Sequence, residues 1–300
     1  MSDHELLESE VALVRRILQG ETELYYQLVR PYQRMIYASA FSILRSEVDA
    51  EDVVQQTFLN GLAALRSFRA QSRILTWLIQ IAINEARMRL RRDRLRRSVS
   101  IEEVSMNFEQ ETVVRDLIEW KRIPSSVLER KETREILLRA FESLPRIYRE
   151  VFVLRDVEEL SISETAKVLG IQEVNVKTRL SRARMKMRDL IAGTLGSRLA
   201  CAPAGNRETL GCPMTWKEAS NFIDGDLVPV LRTKITAHLR ICRRCSSVVA
   251  GIKNVVRLMS DPRALPLPAG FSRRLRKLLT SYLLLPKAKR VPGGQAGRHR

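Results

Sequence analysis

No stretch of about 18 consecutive apolar residues occurs in this 300-residue chain, so no membrane span is expected. The opening MSDHELLESE is acidic and amphipathic, unlike a secretory signal, and a cytoplasmic protein is expected. Cysteine is scarce: four in a chain of this length make no disulfide scaffold, which fits a reducing compartment with room for a metal site. Glycine (13) and proline (11) are modest, and helical periodicity dominates over strand-like alternation. That predicts an all-α fold. Acid is in deficit, with 34 Asp and Glu against 52 Lys and Arg, a net charge of +18. Such an excess favours a polyanionic partner, because neutralising phosphates releases counterions. The length suggests two or three domains, and 45% hydrophobic residues suffice for their cores.

The segment Leu144–Arg188 reads as a helix-turn-helix. Ser163 is a plausible N-cap for a helix running to about Leu169, Ala166 permits close helix approach, and Gly170 supplies the turn. The second helix places Val176, Leu180, Ala183, Met187 and Leu190 on one apolar stripe. Its other faces carry Lys177, Arg179, Arg182, Arg184, Lys186 and Arg188, with no acid between the first and last. A helix apolar on one side and basic elsewhere suits a DNA major groove. A solvated basic face in an ordinary bundle is the alternative.

A second cationic region, RMRLRRDRLRR over Arg87–Arg97, holds seven arginines against Asp93, a local net of 7 − 1 = +6. It continues a helix beginning near Leu75, in which Ile79, Ile81 and Ile83 alternate with other residues and Trp77 and Asn84 flank them. SFRAQS (Ser67–Ser72) precedes it as a polar loop containing Phe68. An aromatic beside a cationic helix suits capture of an unstacked base, although a Phe anchoring a loop to the core is as common. Upstream, DAEDVVQQTF (Asp49–Phe58) opens a helix with Asp49, Glu51 and Asp52. Those acids fit a stabilised helix N-terminus, a metal site or a protein-docking surface.

These three motifs, in this order, make residues Glu5–Ile191 resemble an extracytoplasmic-function (ECF) sigma factor. The resemblance implies a non-enzymatic factor that binds core RNA polymerase and promoter DNA. It implies that Asp49, Asp52, Gln55 and Phe58 dock on the clamp helices of the polymerase. It places Phe68–Ser72 and Asn84 at the minus-ten element, with Trp77 as core anchor and Arg87, Arg91 and Arg92 on the backbone nearby. It places Lys177, Thr178, Ser181 and Arg182 at the minus-thirty-five element. The chain departs from the family pattern at Val174-Asn175-Val176, where Gly-Thr-Val is usual, and at Ser181, where a bulkier residue is common. Both departures bear on the promoter sequence read.

Between the two modules, Ser98–Trp120 carries six acids against Arg115, a net of 1 − 6 = −5. An acidic connector avoids DNA; it suits either the RNA path that the resemblance implies or a plain solvated tether. Beyond a second linker stands Cys212, then His238, Cys242 and Cys245, the pattern C-x25-H-x3-C-x2-C. On a continuous helix the last three share a face, and Cys212 closes the set. Three thiolates and one imidazole make a complete tetrahedral zinc site with no open position. A helical hairpin with inert reduced thiols is the alternative, and Cys201 lies in the linker.

With FIDGDL between its helices, Cys212–Met259 resembles the zinc-binding anti-sigma domains. A fused copy implies contact between the zinc domain and the sigma modules of the same chain, either regulatory or merely structural. The tail Arg263–Arg300 holds ten Lys and Arg and no acid, with Leu275, Leu278, Leu279 and Tyr282 on one side of a short amphipathic helix. It suits covering the zinc module, touching DNA or meeting a membrane surface. The expected organisation is a sigma region 2-like domain (5–97), an acidic linker (98–130), a region 4-like domain (131–192), a linker (193–211), a zinc domain (212–262) and a basic tail (263–300). Two rivals remain: a stand-alone helix-turn-helix regulator, and a metal-dependent nuclease using Asp49, Glu51 and Asp52, which lacks a base or nucleophile constellation.

Overall fold

The computed structural model describes residues 3–97, 131–196 and 214–284, and every element longer than a turn is helical. The acidic linker, Cys201, Cys212 and the last sixteen residues (285–300) lie outside the described residues. Among the described residues no helix is long and apolar enough to cross a membrane. Two compact units form, one from residues 1–99 and 266–300, the other from 100–265.

The first unit contains α1 (Asp3–Gln19), α2 (Leu24–Val29), α3 (Gln33–Leu44), α4 (Glu47–Ala64), α5 (Ile74–Arg97) and, from the far end of the chain, a helix at Phe271–Leu284. Ile36, Val54, Phe58, Leu78 and Ile79 pack without exposure at its centre. Ile83 joins them, whereas Ile81 is half-buried, as the 3.6-residue period requires of alternate positions on a helix. Gly61 of α4 leaves no room for a side chain: a Cβ there would stand 2.9 Å from both Leu78 Cδ2 and Tyr25 Oη. The Tyr25 hydroxyl donates to the Phe58 carbonyl at 2.6 Å. The α5 N-terminus is capped from a distance, since Glu10 of α1 accepts the Ile74 N–H at 3.0 Å and the Tyr32 hydroxyl. A buried carboxylate with two donors satisfies groups that would otherwise be orphaned.

The second unit contains α6 (Lys131–Ser143), α7 (Arg146–Phe152), α8 (Ile162–Leu169), α9 (Glu173–Gly196), α10 (Trp216–Asp224), α11 (Pro229–Ile241) and α12 (Arg243–Ser260). The α8 N-cap is Ser161, not the expected Ser163. Ser161 and Glu164 form a reciprocal capping box, Ser161 Oγ taking the Glu164 N–H at 3.1 Å and Glu164 taking the Ser161 N–H at 2.9 Å. Two backbone donors are satisfied this way, which Ser163 alone does not offer. Gly170 turns the chain at φ +68° and leads to α9.

Between α7 and α8 the helix widens at Val153–Val157, where the Glu158 N–H reaches the Val153 carbonyl at 2.9 Å. Such i to i+5 turns re-aim side chains and recur at functional sites. This one carries Asp156. A smaller apolar cluster of Ala219, Val248, Val249 and Ile252 joins α10 to α12, with Met185 of α9, Phe222 and Leu239 packed against it.

Candidate nucleic-acid interface and metal centre

On α9, Val176, Leu180, Ala183, Met187 and Ile191 are fully buried, forming the expected stripe with Ile191 instead of the half-buried Leu190 at its end. The basic faces are not alike. Asn175, Thr178 and Arg182, at successive steps of three and four, lie on a stripe where Asn175 and Arg182 are exposed. The Thr178 hydroxyl is bound to the Val174 carbonyl at 2.9 Å, which fixes its rotamer. Lys177, Ser181, Arg184 and Arg188 form a second stripe, and it is largely covered. Ser181 is 6% exposed, Arg184 2% and Arg188 3%.

Arg184 is therefore not an outward cation, and its cover is specific. Its guanidinium meets Asp156 at 2.5 and 2.8 Å, Asp224 at 2.7 and 2.9 Å, and the Ser220 hydroxyl at 2.8 Å. Burial works against the charge, but the two carboxylates outweigh it and hold the guanidinium proton more tightly than usual. Bidentate pairing to both acids uses the planar fork that lysine lacks. Two turns earlier, Lys177 Nζ pairs with Asp226 at 2.9 Å. From α12, the Ser260 hydroxyl donates to the Asp156 carbonyl at 2.5 Å. Asp156, Ser220, Asp224 and Asp226 escape a reading of α9 alone. The available signal was the FIDGDL acid pair, whose charge is opposite to that of the acid-free stretch from Lys177 to Arg188.

In the first unit, Asp49 and Asp52 both face Arg89 of α5, at 2.6 and 3.0 Å. Gln55 is half-buried beside them, while Phe58 is fully buried in the core. Phe68 stands against Trp77 with ring centroids 5.5 Å apart and tilted by 56°, so this loop aromatic is anchored to α5. Ser72 is half-buried in the same loop. Asn84 is exposed and Arg87 half-buried one turn along α5, and Arg91 and Arg92 are exposed beyond it. Asn84, Arg87 and Arg91 share one side by their spacing of three and four.

His238, Cys242 and Cys245 present their ligand atoms within 4.8 Å of one another. They do so by a different geometry from the continuous helix expected. Cys242 adopts φ −91°, ψ 103°, ending α11 and beginning α12, and its N–H bonds the His238 carbonyl at 2.9 Å. The break folds the imidazole and two sulfurs to one point. Ligands of a tetrahedral zinc lie about 3.8 Å apart, given Zn–S near 2.3 Å. The triad therefore fits a metal after a small contraction, and three donors leave one tetrahedral position to fill.

The sigma-70 region 2 family matches residues 28–96 and the sigma-70 region 4 family residues 134–187. The ECF RNA polymerase sigma-E factor of Salmonella typhimurium is 32% identical over 178 residues, 59% of this chain and 91% of that protein. The sigma-E factor of Haemophilus influenzae is 29% identical over 178 residues, 59% of this chain and 92% of that one. A solved sigma factor RpoE, in complex with the anti-sigma factor NepR from Bartonella quintana, covers 55% of this chain and 94% of its own at 23% identity and a TM-score of 0.41. The matched modules hold both the acid-opened α4 and the basic α9, and the chain accordingly belongs to the ECF RNA polymerase sigma factors, non-enzymatic proteins that bind core polymerase and promoter DNA to start transcription at specific promoters.

Proposed function

We propose that this sigma factor carries its own regulator, a zinc-binding anti-sigma-like segment that covers part of its promoter-reading helix. The observation that supports the reading is the occupancy of one α9 stripe. Ser220 and Asp224 of α10 and Asp226 just after it engage Arg184 and Lys177. Lys177 and Ser181 would read the minus-thirty-five element only when that segment withdraws, whereas Thr178 and Arg182 stand on the open stripe. Asp49, Asp52 and Gln55 would dock on polymerase, with Phe58 supporting α4 from beneath. Phe68–Ser72, Asn84, Arg87, Arg91 and Arg92 would take the minus-ten region. The protein would act in the cytoplasm, where its polymerase works.

Cys212, His238, Cys242 and Cys245 would hold the zinc, which supplies coordination bonds that fix the segment's fold and takes no part in a reaction. Thiolate ligands are oxidisable, so loss of the metal would loosen α10 to α12 and release α9. The test compares zinc-loaded and chelated protein, each with core polymerase, at one promoter across salt concentrations. The reading expects tighter promoter binding after chelation or oxidation, with a steeper salt dependence as Lys177 regains a phosphate partner. Identical promoter binding in all conditions rejects regulation and leaves a structural module.

A further inference from the structure

The loop read as facing the minus-ten element is pinned at both ends. At its entry the Leu65–Ser67 turn is closed by the Phe68 N–H on the Leu65 carbonyl at 3.2 Å and by the Ser67 hydroxyl on the Ala64 carbonyl at 2.7 Å. Phe68 then lies against Trp77. Within the loop Ala70 takes φ +54°, a left-handed backbone that residues with a Cβ seldom adopt. Arg69 and Gln71, on either side of it, are exposed. Such a conformation persists only where its surroundings hold it. The loop exit needs an acceptor for the first N–H of α5, yet the residue before Ile74 is Arg73, whose side chain only donates. The acceptor comes from a residue 64 positions away. Glu10 of α1, 3% exposed, takes the Ile74 N–H on Oε2 at 3.0 Å and the Tyr32 hydroxyl on Oε1. Burial, and then the bond to Glu10, push the Tyr32 hydroxyl pKa upward, so it stays a donor.

We propose that Glu10 is a positioning residue for minus-ten recognition: through the Ile74 N–H it fixes where the Phe68–Ser72 loop joins α5, and so how Arg69 and Gln71 meet the promoter. The inference rests on the reading that this loop faces the minus-ten element. A carboxylate at a helix N-terminus is favoured by the helix dipole as well as by the hydrogen bond. Its other oxygen is taken by Tyr32, just before α3, so α1, the entry to α3 and the entry to α5 meet at one side chain. Recognition demands that contacting groups be held within about 0.5 Å of their productive geometry. Without Glu10 the Ile74 N–H is buried with no acceptor. The chain then recovers a hydrogen bond only by shifting the loop toward water or fraying the first turn of α5. Either movement displaces Ala70 and its two exposed neighbours.

The test uses the full chain with core polymerase and two promoters that share one minus-thirty-five element and differ by a single minus-ten base. The readout is the ratio of their affinities, in which any cover on α9 cancels. Glu10→Ala is expected to lower that ratio at least about fivefold, with affinity for core polymerase unchanged. Glu10→Gln keeps an oxygen for the Ile74 N–H and offers its amide to the Tyr32 oxygen, so it is expected to hold the ratio within about twofold. A purely structural role weakens both promoters alike and leaves the ratio intact, and that outcome overturns the proposal. A ratio as low in Glu10→Gln as in Glu10→Ala also overturns it, since the acceptor is then not what matters. If Glu10→Ala does not fold, Glu10→Asp, whose oxygens are drawn back by one methylene, is read in its place. A loss of about threefold is expected there, and an unchanged ratio overturns the proposal. Arg69→Ala with Gln71→Ala separates the two levels. If that pair abolishes discrimination while the Glu10 variants do not, the positioning role alone falls; if the pair leaves the ratio unchanged, the minus-ten assignment of the loop falls and the positioning role with it.

Discussion

The helices α4 and α9 are opposite in charge and alike in circumstance. Each carries a cluster of one sign, and each has part of that cluster neutralised by its own chain. On α4 the acids Asp49 and Asp52 are held by Arg89, a neighbour in the same module. On α9 the cations Lys177 and Arg184 are held by Asp226 and Asp224, which follow them by 49 and 40 residues and belong to the added C-terminal segment. The α4 pairs are partly exposed and contribute little, whereas the Arg184 group is nearly inaccessible. Charge clusters that look equally available in a sequence differ by what the rest of the chain brings to them.

That contrast is broken most forcefully at Arg184. Arg184→Ala leaves buried Asp156 and Asp224 facing each other with only Arg155, 3.8 Å from Asp224, as a cation, and a loss of about 3–5 kcal/mol is expected in denaturant unfolding of the second unit. Arg89→Ala, its counterpart on α5, is expected to cost under about 1 kcal/mol in the same measurement, because water reaches its acids. Equal losses at the two sites would erase the distinction. Next in size, removing a thiolate by Cys245→Ser is expected to lower zinc content from one per chain to well below half, read by metal analysis, with helicity lost from the α10–α12 segment in circular dichroism. Retained zinc would remove Cys245 from the ligand set.

A smaller effect is expected from Glu164→Ala, which deletes half of the Ser161 capping box: about 1 kcal/mol of stability, with promoter binding preserved once folded. Ser163→Ala, by contrast, is expected to stay within about 0.5 kcal/mol, since Ser163 is not the cap. Reversal of that order in thermal unfolding would restore the position first expected.

The all-helical fold and both sigma modules were legible because their signals are local: apolar periods on α5 and α9, and acids opening α4. The Ser161 cap leaves a local mark, Ser-x-x-Glu, but Ser163 stands nearer the hydrophobic run and offers a competing cap. The stripe along Lys177, Ser181, Arg184 and Arg188 was not legible as a covered face, because a helix next to its core stripe looks basic until its partner is known. Tertiary pairing across 28 residues to Asp156 and 40 to Asp224 leaves no periodic mark. The grouping of His238, Cys242 and Cys245 was legible from spacing, yet its geometry was not: a break at Cys242, not a continuous helical face, brings these side chains together. The amphipathic pattern of the helix at Phe271–Leu284 was visible, but its seat on α2 and α4 was one of several apolar faces it could have matched.

The central claim is that α10 covers part of the promoter-reading face of α9. Ser220 is the residue at which to test it, because it sits against Arg184, is 2% exposed, and lies on α10 and not on the reader. Ser220→Arg places bulk and like charge in that contact while leaving every residue of α9 intact. The measurement is the affinity of the polymerase complex for a duplex carrying the minus-thirty-five element, with the full chain and with Ser220→Arg, footprinted at one salt concentration. A gain of about tenfold, near 1.4 kcal/mol, with protection extending over the bases opposite Lys177 and Ser181, is the predicted result. Equal affinity and an unchanged footprint from a folded variant would contradict it.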